Sequence, residues 1–310
     1  MLRGVGLLLL WISTLGAMSQ YEFEKHVPSR YLGTNRTVRV RLPASYWRDT
    51  SRRYPVVYLH DGQNVFASAG SNCCFGWGSW EIDKTAARLA TEGRMREVIF
   101  VAVDNSRFRY QEYCGPTPDA SDEASKRDKS RYENYAAFLT EELKPLIDRE
   151  YRTLKSARDT AMLGSSMGGI CSLAIAWQHP KTFGAVASLS GAFQVEKRYF
   201  LEKVLKPYES RVKPLRIYLD SGTIDFTGDD DGRKYTTAVA DQLRRIGWKN
   251  GKNLTHFVEE HIYSDTELEK LGVPHYKWRE AQSSHHNEFY WRERVWRALV
   301  FLFPSPESRL

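Results

Sequence analysis

A chain of 310 residues, 42% of them hydrophobic, is long enough to fold as one large domain around a substantial core. Its formal net charge of +7 comes from basic residues interleaved with 38 acidic ones, without a Lys/Arg run or a nucleic-acid-binding motif. We therefore expect a solvated basic surface and no nucleic-acid partner.

The first 19 residues differ in character from the rest of the chain. Arg3 precedes an apolar run at 5–11, and small residues follow at 17–19. This pattern is typical of a secretory signal peptide with cleavage near Gln20, and an uncleaved N-terminal anchor is the alternative. We predict a signal peptide at 1–19 and a single domain at 20–310. We also predict a secreted or periplasmic location, with no stable membrane insertion after cleavage.

Strands and helices alternate along the chain. The period-two pattern at 37–42 predicts an antiparallel strand near a sheet edge. Continuous apolar runs predict buried strands at 55–59, 98–103, 159–163, 183–189, 215–219 and 254–258. Helical spacing appears at 82–89, 135–147, 170–177 and 289–303. This rhythm predicts an α/β fold with a mostly parallel central sheet and helices on both faces.

The position of the site follows from this fold. Active-site groups belong at the carboxyl ends of parallel strands. The connection between 191 and 215 is too short for a large cap domain, so we expect an open site.

The strand at 55–59 runs into the polar sequence His60-Asp61-Gly62-Gln63. An α/β hydrolase places one oxyanion-hole donor in such a loop and the other directly after its nucleophile. We assign these donors to the backbone N–H groups of Gln63 and Met167. Alternatively, Asp61-Gly62 is simply a turn. For His60 we favour a hydrogen-bonded core histidine, because the base is expected near the C-terminus.

Residues 68–80 form an insertion rich in Gly, Cys and Trp. Trp77 and Trp80 either wall the cleft and stack on a ring of the substrate, or pack the loop onto the protein.

Four cysteines in a chain of this length do not make a disulfide framework. Cys73, Cys74 and Cys114 lie in loop-like, aromatic-rich sequence, whereas Cys171 falls inside a predicted helix. We predict one bridge, from Cys73 or Cys74 to Cys114, and the sequence does not choose between the two.

The apolar run that begins near 159 ends in Gly164-Ser165-Ser166-Met167-Gly168 and passes directly into a helical pattern. Gly-x-Ser-x-Gly between a strand and a helix is the nucleophile elbow, a strained turn that presents a serine hydroxyl at a helix N-terminus. The flanking glycines let strand and helix approach without a Cβ clash. We interpret Ser166 as a nucleophile; a Gly/Ser loop without catalytic function is the alternative.

A nucleophilic serine needs a base, and the base needs an acid that orients it; in this fold the chain order is Ser, acid, His. We choose Asp225 as the acid because it follows Gly222 by three residues, just past a predicted strand. The alternatives are the other aspartates of this region, which are Asp220, Asp229, Asp230 and Asp231. The acidic run at 229–232 does not fill an EF-hand loop, so we expect a solvated turn and no metal.

His285 and His286 occupy a polar loop immediately before the final predicted helix. This is where the α/β-hydrolase fold delivers its histidine. We choose His286 as the base and expect His285 to line the site.

Together these stretches resemble the putative-esterase family of α/β hydrolases. The family includes enterochelin esterases, feruloyl and acetyl-xylan esterases, S-formylglutathione hydrolase and mycolyltransferases. The similarity lies at 60–64, at 142–148 with 151–153, at 164–169, and at 286–288 with Trp291 and Arg294. The resemblance implies the α/β-hydrolase fold and no cofactor.

The resemblance also implies roles for individual residues. Ser166 would be the nucleophile, His286 the base, and the N–H groups of Gln63 and Met167 the oxyanion donors. In relatives the acid follows a Gly after the seventh strand, which again points to Asp225.

We therefore expect a secreted serine esterase that acts through an acyl-enzyme on a small-molecule or polysaccharide ester, such as a carbohydrate acyl ester or a siderophore-type lactone. An acyltransferase with the same triad is one alternative. A non-catalytic carbohydrate- or envelope-binding protein on the same fold is an alternative of another class.

Overall fold

A computed structural model describes residues 21–117, 130–225 and 230–305. The predicted signal peptide at 1–19 lies outside these ranges. Within them, eight strands form one sheet in the order β1-β2-β4-β3-β5-β6-β7-β8. The strands are β1 (Glu22–Ser29), β2 (Thr34–Arg41), β3 (Val56–His60), β4 (Ile99–Val103), β5 (Thr160–Ser165), β6 (Ala185–Leu189), β7 (Arg216–Gly222) and β8 (Leu254–Glu259).

The sheet is mostly parallel. Strands β3 to β8 pair in parallel, whereas β2 pairs antiparallel with both β1 and β4. The strands β3, β4, β5 and β6 are buried at every position, as their continuous apolar sequences predict. The fold class predicted from the sequence is therefore confirmed.

The predicted edge strand at 37–42 corresponds to β2, but the edge position itself belongs to β1. The sequence of β1 mixes charged residues with Pro28 and has only two fully buried positions, Val27 and Ser29. It therefore lacks the regular alternation that indicates a half-buried strand. Charged residues and proline are common on edge strands because they discourage further strand pairing.

The described α-helical segments lie in the connections between strands or, for the last three, after β8. They are α1 (Cys73–Gly76), α2 (Ile82–Thr91), α3 (Arg109–Tyr113), α4 (Ser130–Ala137), α5 (Lys144–Glu150), α6 (Met167–Gln178), α7 (Val195–Tyr199), α8 (Arg233–Ile246), α9 (Asp265–Lys270), α10 (Trp278–Ala281) and α11 (Glu288–Leu302). Two π-helical turns, Phe138–Leu143 and Phe200–Leu205, follow α4 and α7.

Alternating side chains of the strands build one apolar layer on each face of the sheet. One layer packs Tyr58 and Met162 against residues of α6 and α8, and the other packs Leu59 and Leu163 against residues of α2 and α11. The helices therefore cover both faces, which leaves the strand ends accessible.

The connection from β6 to β7 contains only α7 and the second π-helical turn, so it holds no large cap domain. In the part of the chain that the structure describes, no helix combines the length and the apolar composition needed to cross a bilayer.

Candidate active site

Three predicted site residues, Gln63, Ser166 and His286, lie at the carboxyl ends of the central strands, together with Asp231, one of the alternatives for the acid. Ser166 follows β5, Gln63 follows β3, and the loop carrying Asp231 follows β7. His286 directly precedes α11, whose start is fixed by the side chain of Asn287, which accepts a hydrogen bond from the N–H of Tyr290. Because β3 and β5 pair in parallel, their carboxyl ends lie side by side.

Ser166 has the strained backbone of a nucleophile elbow, with φ 51° and ψ −122°. Its N–H donates to the carbonyl oxygen of Leu189 at 2.9 Å, and its own carbonyl accepts from the N–H of Ala192 at 2.9 Å. These bonds tie the turn to the end of β6. The side chain of Ser166 is only partly buried, so its hydroxyl is available.

The two glycines of the motif allow this turn for steric reasons. A Cβ on Gly164 would collide with the backbone carbonyl of Gly168. A Cβ on Gly168 would lie 3.0 Å from the Cβ of His60. The Gly-x-Ser-x-Gly spacing therefore reflects close contact of β5, α6 and the end of β3.

Ser166, His286 and Asp231 form a hydrogen-bonded row. The distance from Ser166 Oγ to His286 Nε2 is 2.9 Å, and the distance from His286 Nδ1 to Asp231 Oδ1 is 2.6 Å. An ionised carboxylate accepts hydrogen bonds only, so Nδ1 carries a proton and donates a hydrogen bond to Asp231. The lone pair of Nε2 is then free to accept the hydroxyl proton of Ser166.

Asp231 is fully buried, while 28% of the His286 side chain is exposed. Burial acts to raise the pKa of Asp231, but the hydrogen bond with His286 and the charge of Arg294 outweigh it and lower that pKa below its ordinary value. The carboxylate is therefore held in its charged form behind the imidazole.

The choice of Asp225 as the partner of His286 is corrected by this geometry. Asp225 Oδ1 accepts a hydrogen bond from Ser284 Oγ at 3.0 Å, and the position beside Nδ1 belongs to Asp231. Asp231 and Gly232 both have positive φ, 51° and 69°, which turns the chain back toward the strand end just before α8. Of the other aspartates considered, Asp220 and Asp230 are not the residues bonded to His286 Nδ1, and Asp229 falls outside the described residues.

The turn that carries Gln63 is held by a partly buried ion pair. Asp61 has left-handed backbone angles, and its carboxylate accepts two hydrogen bonds from Arg109 at 2.7 and 2.8 Å. A Cβ on Gly62 would lie 2.7 Å from the carbonyl carbon of Ala102, so only glycine fits there. The side chain of Gln63 accepts from the N–H of Asn105 at 3.1 Å.

The backbone N–H groups of Gln63 and Met167 remain available as donors. Met167 is the first residue of α6, where N–H groups have no intrahelical partner. Within residues 21–117, 130–225 and 230–305, neither N–H donates to another protein group. Their position at adjacent strand ends is compatible with the oxyanion-hole role predicted from the sequence.

His60 is a core histidine, the interpretation favoured from the sequence. Its ring is buried, and Nδ1 lies 3.0 Å from the hydroxyl of Tyr135. Burial lowers the pKa of His60 to about 4, so the ring is neutral at ordinary pH.

Trp77 and Trp80 pack the insertion onto the protein. Trp77 is 7% exposed and stacks with Phe289, while Trp80 is 3% exposed and contacts Trp291. These contacts support the second alternative, in which the two tryptophans pack the insertion onto the protein rather than stack on a substrate.

His285 does not line the cleft, because its ring is fully buried. Nδ1 accepts from the N–H of Thr223 at 2.9 Å, so Nε2 carries the proton and donates to the carbonyl oxygen of His261 at 3.1 Å. The expectation that it contacts substrate is corrected: the ring joins three segments behind the site.

The predicted disulfide is absent: all four cysteines lie in described ranges and are free. The sulfurs of Cys73 and Cys74 are 3.4 Å apart. Cys114 is buried in the core layer that also contains Cys171, with its thiol toward the carbonyls of Gln111 and Gly115. Cys114 therefore lies in the core, apart from the insertion that carries Cys73 and Cys74.

Sequence reasoning did not predict that three buried polar residues form a cluster behind the acid. They are Ser190, Asp220 and Arg294. Trp291 and Arg294 entered only through the resemblance. A charged residue at the end of a buried strand, as Asp220 is, requires a buried partner. The position of Asp220 at the end of a predicted buried strand could therefore have indicated that a buried cation lies beside it.

The mostly parallel sheet, the elbow and the Ser–His–Asp row together define an α/β hydrolase. The profile of the family described as "Putative esterase" matches residues 29–302. The chain therefore belongs to this esterase family and is a carboxylic ester hydrolase.

Individual relatives are distant. The chain is 24% identical over 285 residues to the uncharacterized protein YbbA of Bacillus subtilis (strain 168), covering 91% of this chain and 98% of that protein. It is 22% identical over 205 residues to the ferri-bacillibactin esterase BesA of the same organism, covering 62% and 67%. A solved structure of a ferulic acid esterase superposes with a TM-score of 0.63 at 19% identity, covering 91% and 96%, which is a likeness of fold.

Proposed function

We propose that the protein is a secreted serine esterase that works through an acyl-enzyme on Ser166. The observation that carries the proposal is the row Ser166 Oγ, His286, Asp231, with distances of 2.9 and 2.6 Å. These are hydrogen-bond distances, so a proton can pass from the hydroxyl to the imidazole without rearrangement.

In the first half-reaction Ser166 Oγ forms a bond to the ester carbonyl carbon while His286 Nε2 takes the hydroxyl proton. The N–H groups of Gln63 and Met167 donate to the resulting oxyanion. The bond to the alcohol oxygen then breaks, and His286 delivers its proton to that leaving group. Asp231 holds the imidazole in the required tautomer and balances its positive charge.

In the second half-reaction water attacks the acyl carbon. His286 accepts a proton from the water and returns it to Ser166 Oγ as the acyl bond breaks. The carboxylic acid leaves and the enzyme is restored.

Replacement of the nucleophile tests the mechanism. We expect Ser166→Ala to abolish hydrolysis of short p-nitrophenyl esters, with a fall of at least about 10³-fold in kcat. The thermal unfolding midpoint should stay near that of the unchanged protein, because the hydroxyl makes no core contact. Full activity in the variant would refute Ser166 as the nucleophile.

The substrate class is proposed from the open site and from what its relatives act on. Relatives of the chain include a ferri-bacillibactin esterase, and its fold resembles that of a ferulic acid esterase. We propose a carbohydrate acyl ester or a siderophore-type lactone. Acetyl-xylan, a feruloyl ester and a catecholate trilactone should be compared side by side, with the Ser166→Ala protein as the blank; hydrolysis of none of them would reject both classes.

Export is proposed from the sequence of residues 1–19, with the family match beginning later, at residue 29. Expression of the full chain in a bacterial host should release a protein whose N-terminus is Gln20. Mass spectrometry of the periplasmic and medium fractions measures this directly, and an intact N-terminus in the cytoplasm would contradict it.

A further inference from the structure

A buried cluster of charges lies directly behind Asp231. Arg294 of α11 and Asp220 of β7 are both fully buried. Nη2 of Arg294 is 3.0 Å from Asp220 Oδ1 and 3.6 Å from Asp231 Oδ2. One guanidinium is therefore shared by two carboxylates, of which only one touches His286.

Ser190 links this cluster to the acid. Its hydroxyl donates to Asp231 Oδ2 at 2.7 Å, and it accepts hydrogen bonds from Arg294 Nη2 and from Trp291 Nε1. The N–H of Gly222 also donates to Asp231 Oδ2, at 2.6 Å. With Oδ2 held in this way, Oδ1 is left facing the imidazole of His286.

Stability alone does not account for such a cluster. Removing charges from water is costly, and buried ion pairs can often be replaced by apolar residues without loss of stability. Here the desolvation is incompletely compensated, because Nη1 of Arg294 is buried without a hydrogen-bond partner among the described residues.

The charges of the cluster suggest another role. Two carboxylates and one guanidinium leave a single negative charge behind the imidazole. Burial raises the pKa of Asp220 above its ordinary value, and the charge of Arg294 limits that rise. The guanidinium cannot lose its proton in a protein, so the positive charge is permanent.

We propose that Arg294 and Asp220 are positioning residues that orient Asp231 and set the net charge acting on His286. The inference rests on the proposed function, since it concerns the same triad. Neither side chain touches the reacting atoms, so substrate binding should not depend on them.

Other titratable or charged groups face this cluster from the elements around it. They are Tyr218 on β7, Glu259 on β8, His285 in the loop before α11, and Glu288 and Arg297 on α11. None of them is altered in the variants described below, so their contribution stays constant.

The test alters the charge one step at a time. Asp220→Asn keeps the shape of the side chain but leaves Arg294 and Asp231 alone, so the net charge behind His286 changes from −1 to 0. A less negative environment favours the neutral imidazole, so the midpoint of its titration should move down by about half to one pH unit. Asp220→Asn combined with Arg294→Met restores a net charge of −1 and should return the midpoint toward its original value.

The midpoint is measured in two ways: by NMR titration of the His286 ring and from the acid limb of the kcat/KM profile, while KM should change little. A buried ion pair elsewhere supplies the control. Arg36 and Glu112 are 3% and 2% exposed and 2.7 Å apart, so Glu112→Gln disturbs a comparable pair and should leave the midpoint unchanged.

An unchanged or higher midpoint in Asp220→Asn would overturn the inference, and so would a double variant that folds but keeps the single variant's value. If the double variant does not fold, the direction of the shift in Asp220→Asn alone decides. Titration of the His286 ring needs no substrate. The role of the charge cluster can therefore be tested independently of the proposed esterase function. Without any ester turnover the proposed function fails, whereas normal turnover with an unshifted ring removes only the role of the charge cluster.

Discussion

The carboxylate of Asp231 is held by Ser190, Gly222 and Arg294 on one side and by His286 on the other. Asp231→Asn removes the charge and the acceptor that selects the imidazole tautomer. We expect kcat for ester hydrolysis to fall by about 10³- to 10⁴-fold, with a smaller effect on KM.

Asp225→Asn is the matched control for that variant. Asp225 accepts a hydrogen bond from Ser284, whose hydroxyl oxygen accepts one from the backbone N–H of His286 at 3.1 Å. We expect less than about a tenfold loss of kcat. A larger loss in Asp225→Asn than in Asp231→Asn would reverse the assignment of the acid.

His60 makes stability depend on pH. Its pKa is lowered by burial to about 4, whereas an unfolded chain has a value near 6.5. The unfolded state therefore binds a proton first as the pH falls. The contribution of neutral His60 is fully present above about pH 6.5 and is lost as the pH approaches 4, which amounts to about 3 kcal/mol.

Urea unfolding at pH 7, 5.5 and 4 measures this loss. We expect His60→Gln to show a shallower fall in the free energy of unfolding than the unchanged protein. His275 is exposed, so His275→Gln should retain the original slope. Equal slopes for all three proteins would show that His60 is not the group responsible.

Sequence reasoning located the serine and the histidine but not the acid. Ser166 lies in a motif whose spacing has a steric cause, and His286 lies in the polar loop just before the apolar C-terminal helix α11. The acid, Asp231, precedes α8 and has a positive φ, as does Gly232 after it, so its position depends on backbone conformation rather than on an apolar pattern. The pair Asp231-Gly232 directly before α8 was the available indication, because Asp and Gly are the residues that such a turn favours.

At the scale of elements, the contact of β5 with α6 is what forces the elbow. A Cβ at position 164 meets backbone atoms, which cannot rotate away as a side chain can. We expect Gly164→Ala to lower the free energy of unfolding by more than about 3 kcal/mol and to reduce activity with it. Chemical denaturation and the ester assay measure the two effects.

Gly33→Ala separates steric contact from backbone strain. Gly33 lies in the turn between β1 and β2 with φ 65°, and a Cβ there meets nothing within 4 Å. Only the cost of the left-handed conformation applies, about 1 kcal/mol. Similar losses in the two variants would show that close packing is not the cause at position 164.

The buried parallel strands were predicted from the sequence because their residues form continuous apolar runs. The strand β1 was not predicted because it is held by backbone pairing with β2 rather than by an apolar face. The packing of the insertion at 68–80 could not be predicted either, because it depends on residues distant in the sequence. Its tryptophans contact Phe289 and Trp291 of α11, which lie far away in the sequence.

For the whole molecule, the free cysteines predict that stability is independent of disulfide bonds. A thiol reagent should titrate four groups per chain in denaturant. It should titrate fewer in the native protein, because Cys114 and Cys171 are buried and burial raises the pKa of the Cys171 thiol. The thermal midpoint should be the same with and without reductant; a drop on reduction would reveal a bridge.

Ser166 and His286 are separated by 120 positions in the chain, and the base is delivered by the loop before α11. Ribosomes make proteins from the N-terminus, so the elbow and most of the sheet exist well before α11 has been synthesised. Until α11 has been synthesised, a nascent chain lacks both the base and the α11 side chains that complete one apolar layer, so it cannot hydrolyse esters through this triad. Hydrolytic activity during translation would then report the moment at which the final helix docks.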